Sequence, residues 1–190
     1  YVLGHSTKAG APTNQPVFIT SVADFENVFG GASESLSHPS IALFFLQRSG
    51  RGLYFVNVEA ADTYPTVAEI QAAIAGSFTT EDPQGFMAAP EFFQSLAATD
   101  HDEVALAMEA HCADPRFYWV ALIDASQATV DSDSVGAYVT AARAEKASLV
   151  SPLGHSWYYG SYLIDFSDNE VPASMAVAGV AIRRMRTDGF

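Results

Sequence analysis

Arg116-Phe-Tyr-Trp-Val-Ala-Leu-Ile-Asp124 is the stretch whose reading decides the fold. No polar residue interrupts it between Arg116 and Asp124, and β-branched and aromatic residues dominate. A strand with one wet face alternates apolar and polar residues; an unbroken run marks a strand covered on both sides, as in a parallel sheet under helices. Leu53-Tyr-Phe-Val-Asn-Val58 reads the same way, and Gly85-Phe-Met-Ala-Ala-Pro90 is strand-like and closes on a proline. Further out, Val2 to Gly10 begins as a short strand and becomes a loop, and Pro16-Val-Phe-Ile-Thr-Ser21 reads as a strand. His155 to Phe166 reads as one aromatic strand.

Helical periods fall between these runs. Ser21 is an N-cap with Asp24 in the capping-box place, Val22, Phe25 and Phe29 share a face, and Gly30-Gly31 stops the helix. Pro39 to Gln47 is apolar nearly all round and is expected to be deeply buried. Pro65 to Ala75 (Val67, Ile70, Ile74 on one face), Glu91 to Ala98, His101 to Cys112 and Ser134 to Lys146 are the next helices, with a polar loop from Gly76 to Gln84. Pro172 opens a last helix rich in Ala and Gly, since proline suits a first turn. Strands alternating with helices imply an α/β fold with a mixed, largely parallel sheet flanked by helices. The expectation is one domain over residues 1–190, with a loop boundary near 79–83.

Composition narrows the function. Hydrophobic residues make up 49% and charged ones 16%, which is a packed chain and not a disordered one. The net charge of −13 argues against nucleic acid, whose phosphates need a basic face. Arg183, Arg184 and Arg186 form the one basic cluster, and cations suit a helix C-terminus. The single cysteine, Cys112, excludes an internal disulfide framework. No apolar run approaches the roughly 18 residues of a membrane span, so no membrane binding is expected.

The motifs for chemistry are incomplete. Gly4-His-Ser-Thr-Lys-Ala-Gly10 has the wrong spacing for a phosphate loop. Gly4-His-Ser and Gly154-His-Ser lack the closing glycine of a nucleophile elbow; a turn and a strand start explain them. His111 and Cys112 are helix neighbours that cannot face each other, which favours a buried cysteine and a histidine at a helix end. His101-Asp102-Glu103 reads as a solvated first helical turn rather than a metal site. Asp124 ends the strongest strand, where α/β sheets often bind ligands, but an Asp there also commonly caps the next turn, the reading favoured here. No catalytic, cofactor-binding or metal residue is therefore assigned. The rival reading is a small α/β enzyme or ligand-binding domain with its site near Asp124 and His155.

Several blocks, taken together and in order, resemble the tail sheath proteins of contractile phages and related injection systems. The most specific is Val171-Pro-Ala-Ser-Met-Ala-Val-Ala-Gly-Val-Ala-Ile-Arg-Arg184, similar to the family's P-P-S-G-A-V-A-G-V-x-A-R-x-D. Pro16-Val-Phe-Ile-Thr-Ser with Asp24-Phe and Phe29-Gly-Gly, Ile41 to Val58, Phe86-Met-Ala-Ala-Pro and His111-Cys with Arg116 to Asp124 resemble further blocks. Gly160 and Ser161 stand where the family has Pro-Trp, and Met185 replaces an acid. The resemblance implies a structural, non-enzymatic subunit without cofactor. It would surround a tail tube in stacked rings and drive contraction and injection. The implied partners are copies of itself, the tube protein, and baseplate and terminator proteins. The implied place is the virion tail or, for an injection system, the bacterial cytoplasm. Sheath proteins continue into a C-terminal domain and arm, so a fragment of a longer subunit is expected.

Overall fold

Six strands form one mixed sheet: β1 (Val2–Gly4), β2 (Pro16–Ile19), β3 (Leu53–Asn57), β4 (Gln84–Ala88), β5 (Tyr118–Asp124) and β6 (Ser156–Tyr159). The computed structural model describes residues 1–47, 51–77, 84–114, 118–126, 140, 156–159, 164–166 and 169–188. The strand order is β2-β3-β1-β4-β5-β6, and every pairing is parallel except β2 with β3. A largely parallel α/β sheet is what the unbroken apolar runs require. Their residues alternate between two covered faces, so both sets must be apolar.

The helices divide between those faces. Helices α1 (Val22–Phe29), α2 (His38–Leu46) and α6 (Ser174–Asp188) close a core containing Phe25, Phe29, Phe44, Phe55, Leu122 and Met175. Helices α3 (Val67–Ser77), α4 (Pro90–Ser95) and α5 (Ala98–Cys112) close the other, with Val56, Ile74, Met87, Phe92, Met108 and Ile123. Neighbours along β5 point opposite ways, Leu122 into the first core and Ile123 into the second. A small antiparallel pair, β7 (Ile164–Phe166) with β8 (Asn169–Val171), leads into α6.

Local signals explain the helix ends. Ser21 Oγ accepts the Asp24 N–H at 3.1 Å, as a capping residue should. The reciprocal bond departs from the capping-box pattern: Asp24 Oδ2 accepts from Thr20 N–H at 2.9 Å, one residue earlier. Gly30 ends α1 at φ 89°, a conformation that a side chain strains. On α6, a Cβ added to Gly179 would lie 2.7 Å from Gln47 Cβ and 3.1 Å from the Phe44 carbonyl oxygen. The small-residue face therefore lets α6 sit directly against α2, while Met175 and Ala178 enter the sheet core.

Three expectations need correction. Helix α2 is not buried all round: Ile41, Leu43 and Phe44 are buried, but Leu46 is 58% exposed because it lies at the last turn, beyond the core. The aromatic stretch is not one strand; Ser156–Tyr159 joins the main sheet as β6, and Ile164–Phe166 turns to pair with β8. Pro172 precedes α6 rather than opening it, and α6 starts at Ser174. The helix expected over 134–146, apart from the single position 140, lies outside the described residues, as does the 79–83 boundary.

Candidate functional site

Chain order makes β1 the hinge of the topology. From β1 the chain crosses to β3, then α3 carries it back over β1 to β4. The segments leaving β1 and β4 diverge to opposite faces, which opens a crevice at their carboxyl ends, the place where open α/β sheets take ligands. Buried polar residues gather there: Ser6 after β1, Asn57 at the end of β3, Glu91 after β4, Asp124 and Ser126 at the end of β5.

The crevice is filled from within. Glu91, 2% exposed in the first turn of α4, turns its Oε2 toward β1. There it accepts the His5 backbone N–H at 2.9 Å and the Ser37 hydroxyl at 2.5 Å. A Cβ on Gly4 would lie 2.0 Å from Ser37 Oγ and 2.8 Å from Glu91 Oε2, so only glycine lets β1 end beside this carboxyl. Glu91 Oε1 is buried, and the Tyr64 hydroxyl bonds the same carboxyl. Tyr64, in the loop between β3 and α3, covers the group; its ring lies 5.7 Å from the His5 ring and 6.0 Å from Phe92. The Tyr64 hydroxyl and Ser95 Oγ are 3.0 Å apart, and Ser95 donates to the Glu91 carbonyl. The His5 Nδ1–H donates to the Val58 carbonyl at 3.0 Å, which fixes the ring. Burial pushes the Glu91 carboxyl above the usual carboxylate range, against the Ser37, His5 and Tyr64 donors that hold it down. Burial and the nearby Glu91 push the Tyr64 hydroxyl up as well, so it stays protonated.

Asp124 does a different job. Its Oδ1 accepts Ser174 N–H at 2.9 Å and its Oδ2 accepts the Ser174 hydroxyl at 2.5 Å, which caps the start of α6. Burial pushes Asp124 up to about 6, with the Ser174 bonds and His101 opposing. Its carboxyl stands at the helix start, where the dipole favours negative charge. The helix it caps lies some 50 residues on in the chain; the turn expected after β5 runs outside the described residues from 127 onward. His101 is wholly buried, and its Nε2–H donates to the Asp124 carbonyl at 2.8 Å. That corrects the solvated first turn: α5 begins at Ala98, so His101 falls on its inner face and only Glu103 is exposed.

The remaining candidates are dispersed. Cys112 is wholly buried in the α5 core, and burial pushes its thiol up to about 12. His111 is half-buried in the last turn of α5. Ser6 donates its hydroxyl to the Phe29 carbonyl at 2.5 Å and is no free nucleophile. His155 lies outside the described residues, so the structure does not join it to Asp124. Ser37 and Glu91 have the spacing of a hydroxyl and its base, yet Ser37 is wholly buried and closed to any substrate. Among the described residues no group of three or more His, Cys, Asp or Glu could hold a metal ion, and no helix is long and apolar enough to cross a membrane.

Sequence reasoning missed Glu91, Ser37 and Tyr64. The available signal was a lone acid inside Met87-Ala-Ala-Pro-Glu-Phe-Phe93, just after a strand end. A comparison with protein-family models found no match, and no characterised protein matched the chain.

Proposed function

We propose that this chain is a structural subunit of a contractile tail sheath, working by packing against copies of itself around a tail tube. The observation that carries the reading is the α2–α6 seam. Its close approach is made at Gly179, inside the very string that carries the resemblance. Small residues in that string have a physical reason here, a close helix approach that a larger side chain would break. The other resembling blocks supply β2 and α1, α2 and β3, β4 with the start of α4, and β5. Two further features support a packing role. The switch-point crevice is occupied by the chain's own Ser37 and Glu91. The seam helices expose Leu46, Val180 and Met185, apolar surface of the kind that partners cover.

Electron microscopy of the purified protein at raised concentration and salt tests the reading. Stacked rings or tubes, lost on Leu46→Asp with the fold intact by circular dichroism, are the expected result. Particles that stay monomeric at every salt and concentration, with or without an added tube protein, would overturn it.

A further inference from the structure

The two sides of the sheet carry outer surfaces of opposite charge. On one side α2 and α6 lie against each other, and Leu46, Val180 and Met185 are exposed along the seam. Arg183 and Arg184, both exposed, follow Val180 by three and four residues and so share its helical face. Arg183 donates to the Gln47 carbonyl at 3.4 Å, which sets it at the end of α2 next to Leu46. Neither helix contains an Asp or Glu before Asp188.

On the other side α3 and α5 pack together over a shared core that includes Ile70, Ile74, Val104 and Met108. Their outer faces expose Leu106 on α5 and Ala68, Ala72 and Ala75 in one row on α3. The fixed charges here are all negative. Helices α3, α4 and α5 contain no lysine or arginine, and Glu69, Asp100, Asp102 and Glu103 are half-buried or exposed.

We propose that the α2–α6 face of one copy seats on the outer α3–α5 face of the next, a head-to-tail contact. The occupant, a second copy of this chain, rests on the sheath reading. The match is one of charge and of shape. Arginines flank the larger apolar side chains, carboxylates flank the receiving face, and unlike charges across an interface select partner and orientation. Pairing the α2–α6 face with itself would bring arginines against arginines. Leu46, Val180 and Met185 are bulky, whereas a row of alanines leaves room for a neighbour's ridge. The two faces lie on opposite sides of one sheet, so a copy using one still offers the other. Contacts between unlike faces repeat into rings or filaments instead of closing at a pair. Apolar burial supplies the affinity, and salt favours it by screening the net charge of −13 that opposes approach of whole chains.

Mixing two variants, each blocked on one face, tests the contact. Leu46→Asp spoils the seam face. Ala72→Lys puts a cation into the receiving row while making the whole chain less negative. Under conditions where the wild type assembles, each variant alone should stay monomeric by sedimentation velocity, with the circular dichroism of the wild type. Their equimolar mixture should form a one-to-one dimer and stop there, since only the Ala72→Lys seam and the Leu46→Asp receiving face remain intact. Thr13→Lys, the same charge change in the exposed loop between β1 and β2, should assemble as the wild type does. If Ala72→Lys does not fold, Ala75→Lys takes its place. Association of Ala72→Lys by itself, or a mixture without dimer, would overturn the proposal and leave the sheath reading standing. A wild type that stays monomeric by itself at every salt and concentration overturns it too, because the contact needs only two copies. The sheath reading then falls with it only if added tube protein also fails to assemble the chain.

Discussion

Asp124 and Cys112 show how burial alone changes what a side chain can do. The Asp124 carboxyl rises from 3.8 to about 6 on folding. A raised carboxyl binds its proton more tightly in the folded state. Its contribution to stability is therefore fully present below the unfolded value and lost as pH rises through about 6. Asp124→Asn should flatten the stability profile over that window, by about 2 kcal/mol relative to wild type. Urea unfolding of both proteins from pH 4 to pH 7 measures the difference, and parallel profiles would refute it. Cys112 should resist a thiol reagent in the native protein and react promptly once unfolded, because its thiol stays protonated and inaccessible. Labelling at native rates equal to the denatured ones would contradict its position in the core. Cys112 was legible from its place at a helix end. Glu91 was not, because its partners Ser37 and His5 are 54 and 86 residues away in the chain and no local pattern records such a pairing.

At the level of elements, legibility followed periodicity. The unbroken runs at 53–58 and 118–124 announced covered strands, and Ser21, Gly30 and the Phe25–Phe29 spacing announced α1. What failed was whatever depends on tertiary placement. Leu46 reads as buried from its neighbours but lies past the core's reach, and 156–166 divides between two sheets because β7 finds β8 as a partner. The α2–α6 seam gives the element-scale prediction. Gly179→Leu should cost at least 1–3 kcal/mol, approximately the penalty of overpacking, since its first carbon already meets Gln47 and Phe44. Val180→Leu, one position on and 37% exposed, should cost little. Equal melting temperatures for the two variants would put the seam in the wrong place.

Over the whole molecule, an excess of 13 negative charges opposes close approach of copies, most strongly where salt is low. Self-association should therefore grow from about 0.01 to about 0.5 M salt, as the screening length falls from ~30 Å toward a few ångströms. Light scattering at fixed concentration reads it directly; association that weakens with salt would point to attraction between opposite charges as the driving term. The position of β1 carries one more consequence, for the order of events at the ribosome. Val2 pairs with both Phe55 and Ala88, so β1 sits between neighbours that are made well after it. Translation delivers the middle of the sheet before either flank. The nascent segment must stay unpaired through the synthesis of β2, α1, α2 and β3, and long closures of this kind slow folding. The central pairing of this sheet is thus a late event in synthesis, and an apolar strand is exposed until β3 emerges.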